Sequence, residues 1–271
     1  MPASHSLTIG VMGGTFDPIH YGHLVAAEEA MTGLGLDEVV FVPSAQPPHK
    51  PPGDVSCAQH RYVMAILATT GNRRFTVSPV ELGRPGPSYT IDTIDELSGA
   101  YGPHVELRLI TGLDALLEIR TWREYRRLLA GCRIIAVTRP GKDVSALTEL
   151  TLQLGDLGGQ LELFPVTALA ISASDIRRRV RQGQSIRYLV PDAVLAYIEK
   201  HGLYRADNAV ASLCACPQLG CLEAAGGEKV ICRYGPVKES LHQQGPATTA
   251  RAEGEAVPSK RPVEDEPGRT R

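Results

Sequence analysis

The chain contains no unbroken run of about 18 apolar residues, so a membrane-spanning helix is not expected. It has no surplus of positive charge. Its 28 Lys and Arg stand against 30 Asp and Glu, a formal net charge of −2, and nothing recommends nucleic acid as its main partner. The first residues, MPASHSLTIG, lack a basic region followed by a long apolar one, so no secretory signal is expected. Cysteine is scarce and uneven: Cys57, Cys132, Cys214, Cys216, Cys221 and Cys232 do not resemble a small disulfide scaffold, and a reduced cytoplasm is the expected setting. Tryptophan occurs once, at Trp122. What remains is ordinary globular usage, 43% hydrophobic and 21% charged, enough for a sizeable core in one or two domains.

Composition changes near Arg205. Residues 206–271 hold six prolines, nine acidic and eight basic side chains, one Tyr, and no Phe or Trp. Such a stretch buries too little apolar surface to offset chain entropy, and a disordered tail is expected. Its four cysteines lack paired C-x-x-C knuckles, so zinc is not expected there.

Residues 6–205 alternate in type. LTIGVM (7–12), EVVFVP (38–43), RFTVSP (74–79), VELRLI (105–110), CRIIAV (132–137) and LELFPV (161–166) read as short buried strands. Helical stretches separate them. In AQHRYVMAILATT, Tyr62, Ala65, Ile66 and Thr69 share one helical face. In PDAVLAYIEKHG, Pro191 opens a helix, Val194, Tyr197 and Ile198 share a side, and Gly202 ends it. Alternation of this kind predicts a doubly wound α/β fold: a Rossmann-like parallel sheet with helices on both faces and right-handed crossovers. Ligands in such sheets bind beyond the carboxyl ends of the strands, near the topological switch point.

Strand one runs into GGTFDPIHYGHL. Gly13 and Gly14 permit close approach to a ligand and positive φ, and Asp17-Pro18 is a turn signal. His20 and His23 are three residues apart where a helix begins, which sets both imidazoles on one face. Gly22 between them leaves room for a bulky group, and a helix start offers free N–H groups to an anion. A His-x-x-His pair also suits a metal, but no third ligand adjoins it. Near the end of the folded region, ISASDIRRRV offers Ser172 or Ser174 as an N-cap, Asp175 in a first turn and Arg177 one turn inside. Arg178, Arg179 and Arg181 read as a solvated basic face.

GGTFDPIHYGHL resembles the signature of the nucleotidyltransferase superfamily with the H-x-G-H motif, and most resembles the bacterial nicotinate-nucleotide adenylyltransferases. The likeness spans about residues 7–204. ISASDIR is similar to the family's second signature, I-S-S-T-x-I-R, with Ala173 and Ser174 in place of Ser and Thr. The resemblance implies adenylyl transfer from ATP to nicotinate mononucleotide, giving deamido-NAD and pyrophosphate. It implies His20, His23 and Arg177 as the catalytic set. The nucleotide would be held by Gly13, Gly14, Thr15, Phe16, His20, His23, Gly112, Asp114, Ser172, Ser174, Ile176 and Arg177. Reactants that are both anionic need positioning and charge stabilisation, not a base, since a phosphate is already a nucleophile. Mg²⁺ carried by ATP would bridge triphosphate oxygens.

Other segments bear on the acceptor. Lys50, at the tip of PSAQPPHKPPGD, either reaches the acceptor phosphate or sits on an exposed linker. Tyr89 and Thr90 either touch the pyridine ring or cap and pack a helix. Asp114 suits a ribose hydroxyl or a helix N-terminal cap. Thr121-Trp122-Arg123-Glu124 fits a capping box, so a helix is expected there. The Trp122 indole would stack on the pyridinium, and the amides of Trp122 and Arg123 would hold a carboxylate on that ring. This favours nicotinate over nicotinamide. Arg139 is a weaker acceptor-site candidate. Rival readings are an adenylyltransferase for nicotinamide mononucleotide or phosphopantetheine, a cytidylyltransferase, or a non-catalytic nucleotide sensor. Oligomeric state, a homo-oligomer included, is left open. Truncation after Arg205 is expected to leave transfer activity unchanged in a pyrophosphate-release assay; clear loss would show that the tail docks on the site.

Overall fold

The computed structural model describes residues 6–51, 53–138 and 144–205. The elements run β1 (Leu7–Gly14), α1 (Tyr21–Gly33), β2 (Glu38–Pro43), α2 (Ala58–Thr69), β3 (Phe75–Val77), α3 (Thr90–Tyr101), β4 (Val105–Gly112), α4 (Leu113–Leu117), α5 (Tyr125–Gly131), β5 (Arg133–Thr138), α6 (Ser145–Leu154), β6 (Leu161–Pro165), α7 (Ala173–Arg181) and α8 (Asp192–Lys200). Single 3₁₀ turns occupy Ile119–Thr121 and Gly155–Gln160. All six expected strands form. They pair in parallel in the order β3-β2-β1-β4-β5-β6, so the order reverses between β1 and β4.

Strand alternation sorts the apolar side chains into two cores. Met12, Val39, Phe41, Ile110 and Ile135 face α1, α2, α7 and α8, where Ala27, Met31, Met64, Ile176 and Val194 meet them. Ile9, Val11, Val40, Val42 and Ile134 face the other side and pack on Ile94, Leu128, Leu129 and Leu150. Burial on both faces explains why these strands read as continuous apolar runs. The fold is the doubly wound, Rossmann-like sheet expected.

Several local expectations are corrected. The buried face of α2 carries Arg61, Met64, Ala65 and Thr69, while Ile66 is 41% exposed. The helical face is rotated because Arg61 turns inward. Val194 and Ile198 are buried in α8 as expected, with Leu195 beside them; Pro191 is its N-cap, and Gly202 follows it at φ 61°. No helix starts at Thr121. Its amide donates back to the Glu118 carbonyl (2.9 Å), closing a 3₁₀ turn, its hydroxyl donates to the same carbonyl (2.8 Å), and α5 begins at Tyr125 after Glu124 at φ 51°. The capping-box match fails because the Glu124 carboxylate is spent on Arg127 (2.9 Å). Arg139, residues 206–271 and their four cysteines lie outside the described residues.

Arg61 is the largest charged group in the interior, 1% exposed. Its guanidinium donates to the carbonyls of Ser56 (2.8 Å), Thr15 (2.7 Å) and Ala45 (3.1 Å). It thereby ties the loop after β1 to the loop after β2. Ser88 adds a second tie: its hydroxyl accepts from the amides of Ala45 and Gln46, and its own amide donates to the Gln46 carbonyl. Arg61→Met keeps the volume but strands three carbonyls. It is expected to destabilise the fold by roughly 3 kcal/mol in urea unfolding; a loss below about 1 kcal/mol would mean that water replaces the guanidinium.

Candidate active site

The loop after β1 is built by its backbone more than by its glycines. Gly13 and Gly14 end β1, paired with Val42 and Pro43 of β2. The positive φ expected of them falls instead on Phe16 (49°), which is 3% exposed. Gly14 is needed for space: a Cβ there would lie 3.0 Å from the Phe16 ring. Gly22 also serves the protein itself, since its Cβ would meet His20 Nδ1 at 3.0 Å. The room expected there for a ligand is filled by the His20 ring.

His20 is the N-cap of α1 and His23 its third residue. The two rings stack at 3.7 Å with 22° between planes, and Phe16 meets His23 edge-on at 5.0 Å. The His20 amide donates to His23 Nδ1 (3.3 Å). That bond requires a bare Nδ1 and leaves the His23 proton on Nε2. Burial, followed by repulsion from His20, pushes the His23 imidazole well below its ordinary 6.5. His23 is therefore a neutral hydrogen-bond donor at pH 7.

Asp17 is 2% exposed, and every polar atom beyond its amide is engaged. Its Oδ2 accepts from the Ser56 amide (3.1 Å) and its Oδ1 from the Tyr204 hydroxyl (2.7 Å). Its carbonyl accepts from Arg177 Nη1 (2.7 Å), which also lies 3.9 Å from Oδ2. Arg177 thus reaches from α7 onto the loop three residues before His20. The Lys50 ammonium is pushed below its ordinary range by desolvation and by repulsion from Arg177 and Arg61, with Asp17 opposing. Three cations, Arg61, Arg177 and Lys50, therefore surround one carboxylate.

Beside this cluster opens a cavity of about 590 Å³. The carboxyl end of β1 and its loop line it with Gly13, Gly14 and Thr15; Lys50, Tyr89 and Thr90 add a second wall, and Trp122 and Arg123 a third. Arg123 lies over the Tyr89 ring, 4.8 Å from its centroid, and pairs with Asp92 (3.4 Å). The Trp122 amide donates to the Ile119 carbonyl (3.0 Å). It is thus unavailable to the carboxylate it was expected to hold.

The remaining expected residues are divided. Gly112 is the N-cap of α4 and Asp114 lies in its first turn, both exposed where β4 adjoins β1. Ser172 caps α7, accepting from the Asp175 amide (3.2 Å), and its hydroxyl lies 3.2 Å from that of Ser174. Asp175 pairs with Arg178 and Arg179, which gives both the solvated role expected. Ile176 is corrected: its side chain is fully buried in the core and its amide donates to the Ser172 carbonyl, so neither faces a ligand. Asp17, Arg61, Ser88 and Tyr204 were missed. So was Glu81, a buried carboxylate that lines the cavity and accepts from the Thr93 hydroxyl (2.6 Å). Their partners are too distant in sequence to leave a local signal.

The cytidylyltransferase-like family model matches residues 11–179. A probable nicotinate-nucleotide adenylyltransferase of Moorella thermoacetica is 52% identical over 198 residues, covering 73% of this chain and 91% of the relative. Another from Thermoanaerobacter sp. is 48% identical over 204 residues, covering 74% and 96%. The solved Plasmodium falciparum nicotinic acid mononucleotide adenylyltransferase in complex with NaAD superposes with a TM-score of 0.60 at 20% identity, covering 73% of this chain and 97% of that one. This last likeness is one of fold.

The buried state of His23 has a measurable consequence. The unfolded imidazole titrates near 6.5 and the folded one well below. Between those values the unfolded chain binds a proton that the folded chain refuses, so stability falls as pH drops from about 6.5 towards the folded value. His60 and His201 are lowered too, so the comparison is with His23→Asn. Urea-unfolding free energies from about pH 7 to about pH 5 should slope less in that variant; equal slopes would leave His23 without a part in acid sensitivity.

Proposed function

The chain belongs to the cytidylyltransferase-like family, and within it to the nicotinate-nucleotide adenylyltransferases; on that premise we propose that it transfers the adenylyl group of ATP to nicotinate mononucleotide, in NAD biosynthesis. The observation that carries this reading is the meeting of Arg177 with the His20–His23 loop through the Asp17 carbonyl, beside a cavity walled by Tyr89 and Trp122.

A 5′-phosphate oxygen of nicotinate mononucleotide attacks the α-phosphorus of ATP in line with the departing group. The new P–O bond forms as the bond to the β-phosphate bridging oxygen breaks. Pyrophosphate leaves with the electron pair. No proton need be removed from the attacking phosphate, so no covalent intermediate is invoked. The work is positioning and charge stabilisation. His23 Nε2–H and the His20 ring donate to phosphate oxygens, and Arg177 takes the β- and γ-phosphates. The amides at the start of α7, capped by Ser172, and the Asp114 carboxylate serve the nucleotide end. Lys50 draws the acceptor phosphate. Trp122 and Tyr89 flank the pyridinium ring, and Arg123 holds its carboxylate, a preference for the acid over the amide that now rests on a guanidinium.

Magnesium would enter with ATP and would offset part of the triphosphate charge, leaving Arg177, His20 and His23 to place the phosphates. Among the described residues no group of three or more His, Cys, Asp or Glu side chains is placed to hold a metal ion. Among them also, no helix is long and apolar enough to cross a membrane.

The test is pyrophosphate release with Mg²⁺, ATP and the acid and amide mononucleotides in parallel. The acid should be preferred by about tenfold or more; equal use of the amide would remove the role given to Arg123. His20→Ala and His23→Ala should each lower turnover by roughly 100-fold or more with unchanged circular dichroism. A near-normal rate would take that histidine out of the mechanism.

A further inference from the structure

We propose that Tyr204 and Asp17 form a positioning pair that sets the Arg177 guanidinium, so that the segment after α8 completes the active site. The inference rests on the adenylyl-transfer reading and assigns a residue distant in sequence to it.

Arg177 has two acceptors within reach on one residue. It uses the Asp17 carbonyl, at 2.7 Å, and stands off the Asp17 carboxylate, at 3.9 Å. For a guanidinium the carboxylate is the stronger partner. Each carboxylate oxygen already accepts one bond, Oδ2 from the Ser56 amide and Oδ1 from the Tyr204 hydroxyl, the latter at 2.7 Å, and these two bonds fix the direction in which the carboxylate faces. The carboxylate is 2% exposed, so water is a poor substitute donor. Removing the Tyr204 hydroxyl leaves Oδ1 short of a donor in a buried setting. Arg177 is the nearest mobile cation able to fill the gap, and in doing so it turns away from the phosphates.

Tyr204 is itself held in place. Its backbone takes φ 67°, a left-handed turn after α8. The Leu203 amide donates to the Ile198 carbonyl (3.0 Å), and α8 is fastened to α2 where Tyr197 Oη meets His60 Nδ1 at 2.9 Å. The tyrosine hydroxyl is thus delivered by a segment 187 residues away along the chain, and there it meets Asp17 Oδ1.

A double-mutant cycle tests this with two readouts, turnover with MgATP and nicotinate mononucleotide, and ATP affinity by calorimetry. Tyr204→Phe should lower kcat by about tenfold and weaken ATP binding, while KM for nicotinate mononucleotide changes by less than about twofold. In the Arg177→Ala background the same substitution should change ATP affinity and turnover by less than about twofold. Equal losses in both backgrounds would show a merely structural tyrosine and overturn the proposal, as would wild-type kinetics in Tyr204→Phe. If Tyr204→Phe does not fold, Tyr204→His, which keeps a ring and can still donate, carries the same cycle: its loss should be smaller than about tenfold in the Arg177 background and vanish without Arg177. A wild-type chain that neither binds ATP nor releases pyrophosphate would instead bring down the adenylyl-transfer reading. An active wild type with additive losses brings down the positioning pair alone.

Discussion

One buried carboxylate holds the site together. Asp17 stands at the end of the loop after β1, accepts from Ser56 and Tyr204 through its side chain, and presents its carbonyl to Arg177. A buried charge is costly unless it is paired and hydrogen-bonded, and here both conditions are met by parts of the chain that share no local sequence. Its charge offsets the mutual repulsion of Lys50, Arg177 and Arg61, with Glu81 a further anionic partner of Arg61. In the adenylyl-transfer reading proposed above, this cluster of positive groups would meet the polyphosphate.

The sheet places this cluster where ligands are received. The reversal of strand order between β1 and β4 opens a crevice at their carboxyl ends, and the loops leaving β1, β2 and β4 converge there. Arg61 and Ser88 brace those loops from beneath, one through three carbonyls and the other through two amides. Positioning chemistry needs such rigidity, because a donor displaced by about an ångström loses much of its effect on a transition state. His23 shows the same economy of design. A neighbouring amide fixes its tautomer, and its burial keeps it uncharged.

The strands were legible because burial on both faces writes an unmistakable apolar run, and EVVFVP needs no partner to be read as one. His20, His23 and Arg177 stood out through the resemblance of GGTFDPIHYGHL and ISASDIR to known signatures, and the structure brings Arg177 onto the loop that carries both histidines. The failures have a common cause. Gly13 and Gly14 were expected to carry the strained backbone, which instead falls on Phe16 because its ring must reach the core. Trp122 was read as a helix start, but Thr121 found a nearer acceptor in the Glu118 carbonyl. The one-face reading of Tyr62, Ala65, Ile66 and Thr69 did not include Arg61, which is buried in α2 to satisfy three carbonyls while Ile66 is exposed.

By itself, then, the sequence determined the alternating α/β order and the parallel sheet, since both follow from periodicity. Only the tertiary structure decided which polar groups are buried, and with whom. Asp17 and Tyr204, or Arg61 and Thr15, become partners through chain crossings that no local pattern encodes, because a hydrogen bond depends on distance in space and the sequence records only distance along the chain.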